Sequence, residues 1–464
     1  MTMIEKKSLD NYLLKNKIAQ KIYEEIRDLP IVDLHSHIEA SWILENRHWN
    51  NIWSAWAATD HYVWELMRRF NIPEEKITGS APDEDKWLAF ASIVPLLIGN
   101  PVYDWLHLDL KLFFGLDGEV NKTTAHKIWI ESKEKLLSTP ELLPRGILEA
   151  ANVKVLCTTD SPLSNLDAHK KLKEEFPGIQ ILPTWRPDLL FEIGSTEWVK
   201  FTHQLANVTD TDVSTLKGFL DALAKTHKYF ELHGCCASDH ALENPLLNFF
   251  NQKVIERVYS RALQRQRVTE EERRRFQSFC LYFCGELNTE SNWFMQLHIG
   301  AVRDYRQQLF VKMGKDSGGD VATHMIEITK GLQHFLNHFD SRLTIVLYVL
   351  HPAHVYTIAT ITRAFPRVYL GAPWWFMDNP FHIYDYLAEL AAVDALSLFS
   401  GMVSDSRKML SLVSRNDVFR RILATFLGEL VQNKRAHLGG AISVALRVSY
   451  ENPYRLIKER IINH

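Results

Sequence analysis

Ile31-Val32-Asp33-Leu34-His35-Ser36-His37 joins a short apolar run to two histidines that are separated by one residue. In an extended strand, residues i and i+2 point to the same side. His35 and His37 would therefore aim their imidazoles at one point, as a strand does when it offers two nitrogen ligands to a metal ion. Most His-x-His steps in globular chains are incidental, so the rest of the chain has to decide between a metal site and chance.

The pattern of this stretch, an apolar run that ends in polar or reactive residues, recurs along the chain. Segments with the helical spacing of apolar residues separate most of these runs. Near-continuous apolar strands that alternate with helices are typical of a parallel sheet buried on both faces. Eight such strands predict a (β/α)8 TIM barrel, whose chemistry lies at the carboxyl ends of its strands. The eight runs are 31–37, 153–160, 179–188, 229–236, 294–301, 343–351, 367–375 and 396–405.

One α/β barrel domain with helical additions accounts for the 464 residues. Residues 1–37 are predicted to hold an N-terminal helix, over 8–29, and the first strand. Residues 38–152 are too long for a simple βα connection, and we expect a helical insertion that caps the barrel mouth. Residues 153–464 should complete the barrel and end in extra helices.

Composition and charge exclude several classes of protein. The formal net charge is −3 and no long basic run occurs, which argues against nucleic-acid binding. No stretch approaches the roughly 18 apolar residues of a membrane span, and residues 1–7 lack the apolar core of a signal peptide. The five cysteines form no CxxC pair, as expected of buried thiols in a reducing compartment. We therefore expect a cytoplasmic protein.

A third candidate metal ligand lies at the end of the last run. The first and eighth strands are neighbours in a closed barrel, so Asp405 can reach a cation held by His35 and His37. Two imidazoles and one carboxylate, with open positions for substrate, suit a catalytic divalent ion of the zinc type. No lysine stands at a strand end to form the bridging carbamate of a two-metal hydrolase. His298 and His351 are each either a further ligand or a hydrogen-bonding partner of the substrate.

Arginines near the predicted strand ends indicate an acidic substrate. The guanidinium of Arg186 can bind a carboxylate through two hydrogen bonds, or it can form an internal ion pair with Asp188. Arg407 follows Asp405 by two residues and can polarise a carbonyl oxygen or merely orient the aspartate. Arg303 is a candidate for a similar anionic group.

Two pairs of neighbouring residues allow a structural and a functional interpretation. Trp374 and Trp375 can form the floor of a sugar site through C–H contacts, but tryptophan pairs are as often part of a core. His61 and Tyr62 form a step in a helical segment, and such a step alone is typical of packing.

A set of short motifs follows one order along the chain. They include Asp33-Leu34-His35-Ser36-His37, Asp60-His61-Tyr62, Trp185-Arg186-Pro187-Asp188, Ala237-Ser238-Asp239-His240, Met295-Gln296-Leu297-His298, Trp374-Trp375-Phe376 and Asp405-Ser406-Arg407. In content and order these motifs resemble the uronate isomerase family of the amidohydrolase superfamily, and the resemblance covers about residues 25–430.

The resemblance implies an aldose–ketose isomerase that interconverts D-glucuronate with D-fructuronate and D-galacturonate with D-tagaturonate. It implies one divalent metal ion, usually zinc, held by His35, His37 and Asp405. Asp405, or a substrate hydroxyl on the metal, would move a proton between C2 and C1 through a cis-enediol. Tyr62 and Arg407 would shuttle protons or stabilise charge at the two oxygens.

The same resemblance implies roles in binding a small uronic acid. Arg186 and His61 would hold the sugar carboxylate, and Asp239, His298 and Arg303 would line the pocket. A barrel of this size with a long insertion often self-associates, so a homo-oligomer is an open alternative.

The chain departs from the family pattern in three places. Asp304-Tyr305-Arg306 follows Arg303 where relatives often carry asparagines, His351 stands where asparagine is usual, and Asn416 stands where histidine is common. These departures leave the preferred uronate open and the metal ligands intact.

Two other functions are compatible with the same barrel. A metal-dependent hydrolase would act on an acidic sugar lactone or amide, and a degenerate barrel would bind a sugar acid without turnover. One metal ion beside an arginine and a tyrosine favours the isomerase, whereas two bridged ions favour the hydrolase.

Overall fold

Parallel strands form two sheets in this computed structural model, which describes residues 11–245 and 250–461. The strands are β1 (Ile31–Asp33), β2 (Val153–Cys157), β3 (Gln180–Leu182), β4 (Ala237–Leu242), β5 (Phe294–Ile299), β6 (Ala301–Val302), β7 (Val321–Ala322), β8 (Thr344–Val349) and β9 (Val368–Leu370). One sheet has the order β1-β2-β3 and the other β4-β5-β8-β9, and every ladder in them is parallel. A short antiparallel pair joins β6 to β7. The chain therefore has the α/β fold with parallel sheets that the sequence predicts.

A helix precedes β1, as predicted, but it is shorter than the predicted segment 8–29. It begins after Asn16, whose side chain accepts from the N–H of Ala19 at 2.8 Å, and Pro30 follows its end. The start of the predicted segment lies outside the described residues. This helix is α1 (Lys17–Ile26).

The described chain between β1 and β2 is helical and contains no strand. Local signals account for these helices: Asn100 caps one of them, Pro101 occupies its first position, and Gly115 ends it with a φ of 58°. The helices are α2 (Ala40–Glu45), α3 (His61–Arg69), α4 (Asp83–Ala91), α5 (Pro101–Phe114), α6 (Ala125–Ser138) and α7 (Pro144–Ala150).

Most of the remaining helices alternate with the later strands and end in a C-terminal helical group. They are α8 (Asp167–Glu175), α9 (Thr196–Thr209), α10 (Leu216–Leu232), α11 (Gln252–Leu263), α12 (Glu270–Glu290), α13 (Gln307–Met313), α14 (Ile328–His338), α15 (Val355–Ala364), α16 (Pro380–Val393), α17 (Ser411–Gln432), α18 (Leu438–Leu446) and α19 (Asn452–Ile461). Every residue of β5 and β8 is buried, as expected of central strands in a parallel sheet. Among the described residues, no helix combines the length and the apolar character that a membrane crossing requires.

Trp185 connects the two sheets on one side. It forms a parallel bridge with Ser238 of β4, and its N–H donates to the carbonyl of Ala237 at 3.2 Å. The N–H of Asp239 donates to the carbonyl of Trp185 at 3.1 Å. Backbone hydrogen bonds therefore continue from the third run to β4.

The segment after α16 connects the sheets on the other side. The N–H of Ser400 lies 3.4 Å from the carbonyl of Leu370 in β9, and the N–H of Asp405 donates to the carbonyl of His35 at 3.1 Å. Within the described residues this segment belongs to no strand ladder. Its first residues, Leu396–Leu398, form a 3-10 helix. The predicted eighth strand is therefore absent as a regular strand, and the run is an irregular segment held by backbone hydrogen bonds.

The predicted fourth strand, over 229–236, is wrong. Residues up to Leu232 belong to α10, and the strand is Ala237–Leu242. Thr226 and Phe230 are buried at helical spacing within α10. The apolar residues near Phe230 form too short a run for their pattern to distinguish a helix from a strand.

We expect Gly371→Ala to lower the stability by about 1–3 kcal/mol, because an added Cβ would lie 2.4 Å from the ring of Tyr348. That ring is fixed, since its hydroxyl donates to Gln296 Oε1 at 2.8 Å and it stacks on His298. The denaturant midpoint measures the loss. Gly439→Ala in α18, where the added Cβ meets open space, is the control and should stabilise by about 0.5–1 kcal/mol. Equal midpoints for the two variants would contradict the prediction.

Candidate metal centre and substrate pocket

The three predicted metal ligands lie together where the first strand meets the last segment. Asp405 Oδ1 is 3.3 Å from His35 Nε2 and 3.2 Å from His37 Nε2. The two imidazole rings are edge-to-face, with centroids 5.1 Å apart. One ligand atom from each residue lies within 4.8 Å of the others, which makes the group suited to a metal ion.

Backbone contacts beyond the end of β1 aim these side chains. Asp33 accepts from the N–H of Ser404 at 2.9 Å and from its hydroxyl. The N–H of His37 donates to the carbonyl of Ser406 at 2.9 Å. Between these contacts, Asp405 has a φ of 46°, a left-handed conformation that costs a non-glycine residue about 1–3 kcal/mol. The surrounding hydrogen bonds hold the carboxylate in this strained position.

The protonation states of the group fit a divalent cation. Burial, followed by the charge of Arg407, lowers the pKa of His37 to about 3, so this imidazole is neutral as a ligand must be. Burial opposes ionisation of Asp405, yet the two histidines hold its pKa well below the usual value. Burial also opposes a charge on His35, but nearby carboxylates raise its pKa, and a metal ion would replace that proton. Two imidazoles and an ionised carboxylate are a zinc-type donor set.

Asp239 lies behind His35. Its Oδ2 is 3.5 Å from His35 Nδ1, and its Oδ1 is 2.6 Å from His298 Nδ1. These three residues also bring ligand atoms within 4.8 Å of one another. Arg186 Nη1 lies 3.0 Å from Asp239 Oδ2 and balances its charge. We therefore interpret Asp239 as the carboxylate that orients the imidazoles of His35 and His298. Carboxylates are usual partners of metal-ligating histidines.

Arg186 has two carboxylate partners inside the protein. Its Nε lies 2.6 Å from Asp188 Oδ2, so the internal ion pair left open by the sequence is present, and Asp239 is the second partner. Burial lowers the pKa of Arg186, but the two carboxylates outweigh burial and raise it. A cavity of about 220 Å³ opens beside it, with Asp160 and Ser161 in its lining.

Aromatic contacts connect the metal group to α3. The ring centroid of His298 lies 4.7 Å from Trp374, which lies 5.7 Å from Trp375. Trp375 stacks on His61 at 5.2 Å, and His61 lies 4.9 Å from Tyr62. The structure therefore places the pair Trp374–Trp375 next to the pair His61–Tyr62. The sequence alone left a packing role open for both pairs.

The same five aromatic residues carry polar atoms that are buried without a hydrogen-bond partner among the described residues. Buried polar atoms in native proteins are nearly always paired, so such a group indicates a place for ligand oxygens or water. The atoms are His61 Nδ1, Tyr62 Oη, His298 Nε2, Trp374 Nε1 and Trp375 Nε1.

Two arginines border this surface. The guanidinium of Arg303 lies 4.6 Å from the ring centroid of Trp375, and its Nη1 donates to Asp320 at 3.0 Å. Arg407 is partly buried, and its guanidinium forms no hydrogen bond or ion pair with the part of the chain that the structure describes. Burial and the charge of Arg407 lower the pKa of His61 to about 4, so this ring is neutral near pH 7. Because no described residue pairs with the guanidinium of Arg407, this group is available to an anionic ligand.

The two histidines proposed as further ligands separate in the structure. His298 lies 4.5 Å from His35, ring centroid to ring centroid. His351 instead accepts from the N–H of Ala353 at 3.2 Å, and its ring neighbours His324 at 5.6 Å. It belongs to neither ligand group found among the described residues.

Sequence reasoning missed the buried charges behind the pocket. Lys408 Nζ lies 2.6 Å from Asp60 Oδ2 and 3.3 Å from the ring centroid of Trp56. The indole N–H of Trp56 donates to Asp109 Oδ2 at 2.7 Å. Lys408 belongs to the motif run that starts at Asp405, and a lysine there, directly before an apolar run, is the signal that could have identified it.

Arg415 is a second missed cation. Its Nη1 donates to the carbonyl of Ser404 at 2.9 Å and to Asp378 Oδ2 at 3.1 Å. Its guanidinium lies 5.3 Å from the ring centroid of Tyr62. Arg415 thus fixes the backbone directly before Asp405.

Fold and site together define a class: an α/β protein with parallel sheets, a His/His/Asp group suited to a cation, and buried polar atoms nearby that lack a partner among the described residues. The glucuronate isomerase family model matches residues 4–456. Uronate isomerase of Thermotoga sp. strain RQ2 is 47% identical over 447 residues, which cover 96% of this chain and 98% of that protein. Uronate isomerase of Caldanaerobacter subterraneus is 38% identical over 435 residues, with coverage of 91% and 93%. The chain belongs to the glucuronate isomerase family.

Solved structures agree with this assignment. The crystal structure of uronate isomerase from Thermotoga maritima has a TM-score of 0.94 and 46% identity, and the match covers 97% of this chain and 99% of that one. Glucuronate isomerase from Caulobacter crescentus has a TM-score of 0.92 at 23% identity, which supports the fold alone. The predicted family and its aldose–ketose isomerase activity are confirmed, and the alternative of a hydrolase is not favoured.

Burial raises the pKa of Asp109 to about 6, above the value of about 3.9 in an unfolded chain. Folding thus favours the protonated carboxyl, and its ionisation costs stability as the pH rises from about 4 to about 6. Asp109→Asn keeps an acceptor for Trp56 and cannot ionise. We expect its stability relative to wild type to improve by about 1 kcal/mol between about pH 5 and about pH 8. Denaturation curves of both proteins at the two pH values measure this, and a relative gain by wild type at the higher pH would contradict it.

Proposed function

We propose that this chain isomerises D-glucuronate to D-fructuronate, D-galacturonate to D-tagaturonate, or both. One observation carries the proposal. A neutral imidazole and an ionised carboxylate lie beside an arginine without an internal partner among the described residues, next to a surface of unpaired buried polar atoms. A polyhydroxylated acid supplies oxygens for those atoms and a carboxylate for a cation.

The proposed scaffold is a closed (β/α)8 barrel with residues 38–152 as a helical insertion over its mouth. The hydrogen bonds of Trp185 and of residues 400–406 support closure. Those of Trp185 connect the β3 side of one sheet to β4, and those of residues 400–406 connect β9 to the end of β1. The contact of His61 with Trp375 supports the placement of the insertion, because it sets α3 against the strand ends.

His35, His37 and Asp405 would hold one divalent cation, for which we propose zinc. Such a cation polarises a carbonyl oxygen and stabilises an enediolate. The buried donor set supports this choice, and the partner contact of His35 with Asp239 would keep its Nε2 directed at the cation.

The chain's own residues would bind and orient the substrate. We assign Arg186 and His61 to the sugar carboxylate, Arg303 to the pocket edge, and Trp374 with Trp375 to the sugar ring. Asp188 and Asp239 compete for Arg186, so a substrate carboxylate would share this guanidinium with them. Asp239 and His298 would line the pocket from behind the metal group.

Proton transfer would take place between C2 and C1 of the open-chain sugar. Asp405 would take the C2 proton while the carbonyl oxygen gains a proton, which gives a cis-enediol; return of a proton to C1 and loss of one from O2 gives the ketose. Tyr62 would exchange protons at one oxygen, since burial and the charge of Asp405 keep its hydroxyl protonated by raising its pKa. Arg407 would stabilise negative charge at the other oxygen.

Three statements about the setting remain predictions from the sequence. A small uronic acid would be the partner at the site, without nucleic acid. Self-association would place several copies together, and the chain would act in the cytoplasm.

Proton NMR of the purified zinc-loaded protein with glucuronate and with galacturonate tests the proposed reaction. We expect ketose signals to appear at equilibrium, and the two initial rates to rank the sugars. Asp405→Asn should remain folded, lose bound zinc as measured by elemental analysis, and turn over at least about 10³-fold more slowly, since a ligand and the base are lost together. Wild-type turnover in this variant would remove Asp405 from the reaction.

Arg186→Met should raise KM for a uronate by about 10-fold or more and leave the KM for a neutral aldose nearly unchanged, because a charge-assisted hydrogen bond is lost. Asp188→Asn is the matched control: it removes the competing carboxylate, so KM for the uronate should stay the same or fall. Steady-state kinetics on both sugars measure the effect. An unchanged uronate KM in Arg186→Met would exclude this arginine from carboxylate binding.

A further inference from the structure

A buried ion pair joins the two halves of the site. Lys408 Nζ lies 2.6 Å from Asp60 Oδ2, and the two side chains are 1% and 2% exposed. Lys408 also lies 3.3 Å from the ring centroid of Trp56, which closes the other side of the ammonium. A lysine is seldom buried so completely without a specific partner, so this pair fixes the relative position of the two segments that carry it.

One end of the pair controls the start of α3. Asp60 is the N-cap of that helix, and its Oδ1 accepts from the N–H of Tyr62 at 3.0 Å. The carboxylate therefore binds Lys408 with one oxygen and the helix start with the other. His61 and Tyr62 are the first two residues of the helix, so their orientation depends on this carboxylate.

The other end belongs to the segment of Asp405 and Arg407. The carbonyl of Lys408 accepts from the hydroxyl of Ser406 at 2.7 Å, which keeps the segment compact. The carbonyl of Arg407 accepts from the hydroxyl of Thr59 at 2.7 Å, directly before Asp60. Two independent contacts thus tie the segment to the same helix start.

We propose that Lys408 is a positioning residue for the isomerisation: through Asp60, it sets Tyr62 and His61 at the distance from Asp405 and Arg407 that proton transfer requires. This inference rests on the proposed function. It assigns no contact between Lys408 and the substrate, because the ammonium is enclosed by Asp60 and Trp56.

A role in geometry is separable from a role in stability. Removal of one partner of a buried ion pair destabilises a protein strongly, because a charge remains unpaired, whereas neutral replacement of both partners is often harmless to stability. Asn caps helices as well as Asp does. In the double variant Asp60→Asn/Lys408→Met the helix cap therefore remains and the ionic link between the two segments is lost.

The test compares Lys408→Met, the double variant and Arg421→Met. Arg421 forms a buried ion pair with Asp417 at 2.7 Å and contacts Tyr23 near the N-terminus, so its variant is a control for loss of a buried pair away from the pocket. Each zinc-loaded protein is assayed well below its melting temperature, with zinc content measured separately.

We expect kcat to fall about 10²-fold in Lys408→Met. KM should rise no more than about threefold, because His61 shifts with the helix start but Arg186, the charged group assigned to the carboxylate, stays in place. The double variant should regain most of the melting temperature and keep the low kcat. Arg421→Met should lose melting temperature and keep kcat. Hydrogen exchange at the first turn of α3 should accelerate in both Lys408 variants and stay unchanged in the Arg421 variant.

A double variant with kcat within about twofold of wild type would overturn the inference, and so would unchanged exchange at the first turn of α3. If Lys408→Met does not fold, the double variant decides between the outcomes in the same way. If the wild-type protein fails to isomerise either uronate, the proposed function fails, while hydrogen exchange still reports whether Lys408 positions the helix.

Discussion

The structure depends on the junction between the first strand and the segment that ends at Ser406. Asp33 accepts two hydrogen bonds from Ser404, 371 positions later in the chain, and the N–H of Asp405 donates to the carbonyl of His35. Without this junction the carboxylate and the imidazoles would belong to separate parts of the molecule. Its hydrogen bonds also hold Asp405 in a left-handed conformation, so strain at the site is stabilised by the contacts that close the fold.

Burial makes the charges near this junction interdependent. Asp405 and Asp239 are ionised although they are buried, because each has cations or imidazoles within about 3.5 Å. Arg186 serves two carboxylates and so completes the internal balance around Asp239. Arg407 has no such internal partner among the described residues, and in a region of low dielectric its charge acts on His37 and on any ligand. The ion pairs of Arg186 thus stabilise the site, and the guanidinium of Arg407 is available to a substrate.

The ligand group was predicted in two steps. The period-two spacing of His35 and His37 is a local signal, whereas Asp405 was added because the first and last runs of a barrel were expected to be neighbours. The fourth strand was misplaced because the apolar residues around Phe230 satisfy helical and strand periodicity equally over so short a run. Lys408 was not predicted, since its partner Asp60 is 348 positions away and no local pattern connects them. Sequence periodicity therefore predicts elements and their ends, while contacts between distant segments require the fold.

The departures from the family pattern differ in how close they come to the pocket. Asn416 donates to the carbonyl of Leu412 within α17, and His351 lies beside His324. The backbone N–H of Asp304 instead donates at 2.7 Å to Asp320, the carboxylate that also accepts from Arg303. A change at residues 304–306 can therefore shift Arg303 over its tryptophan without touching the metal group. Glucuronate and galacturonate differ only in the direction of one hydroxyl. A small shift of a side chain that hydrogen-bonds this hydroxyl is sufficient to discriminate the two sugars. We therefore expect sugar preference to be set in this segment, and the reaction itself to be set at the junction.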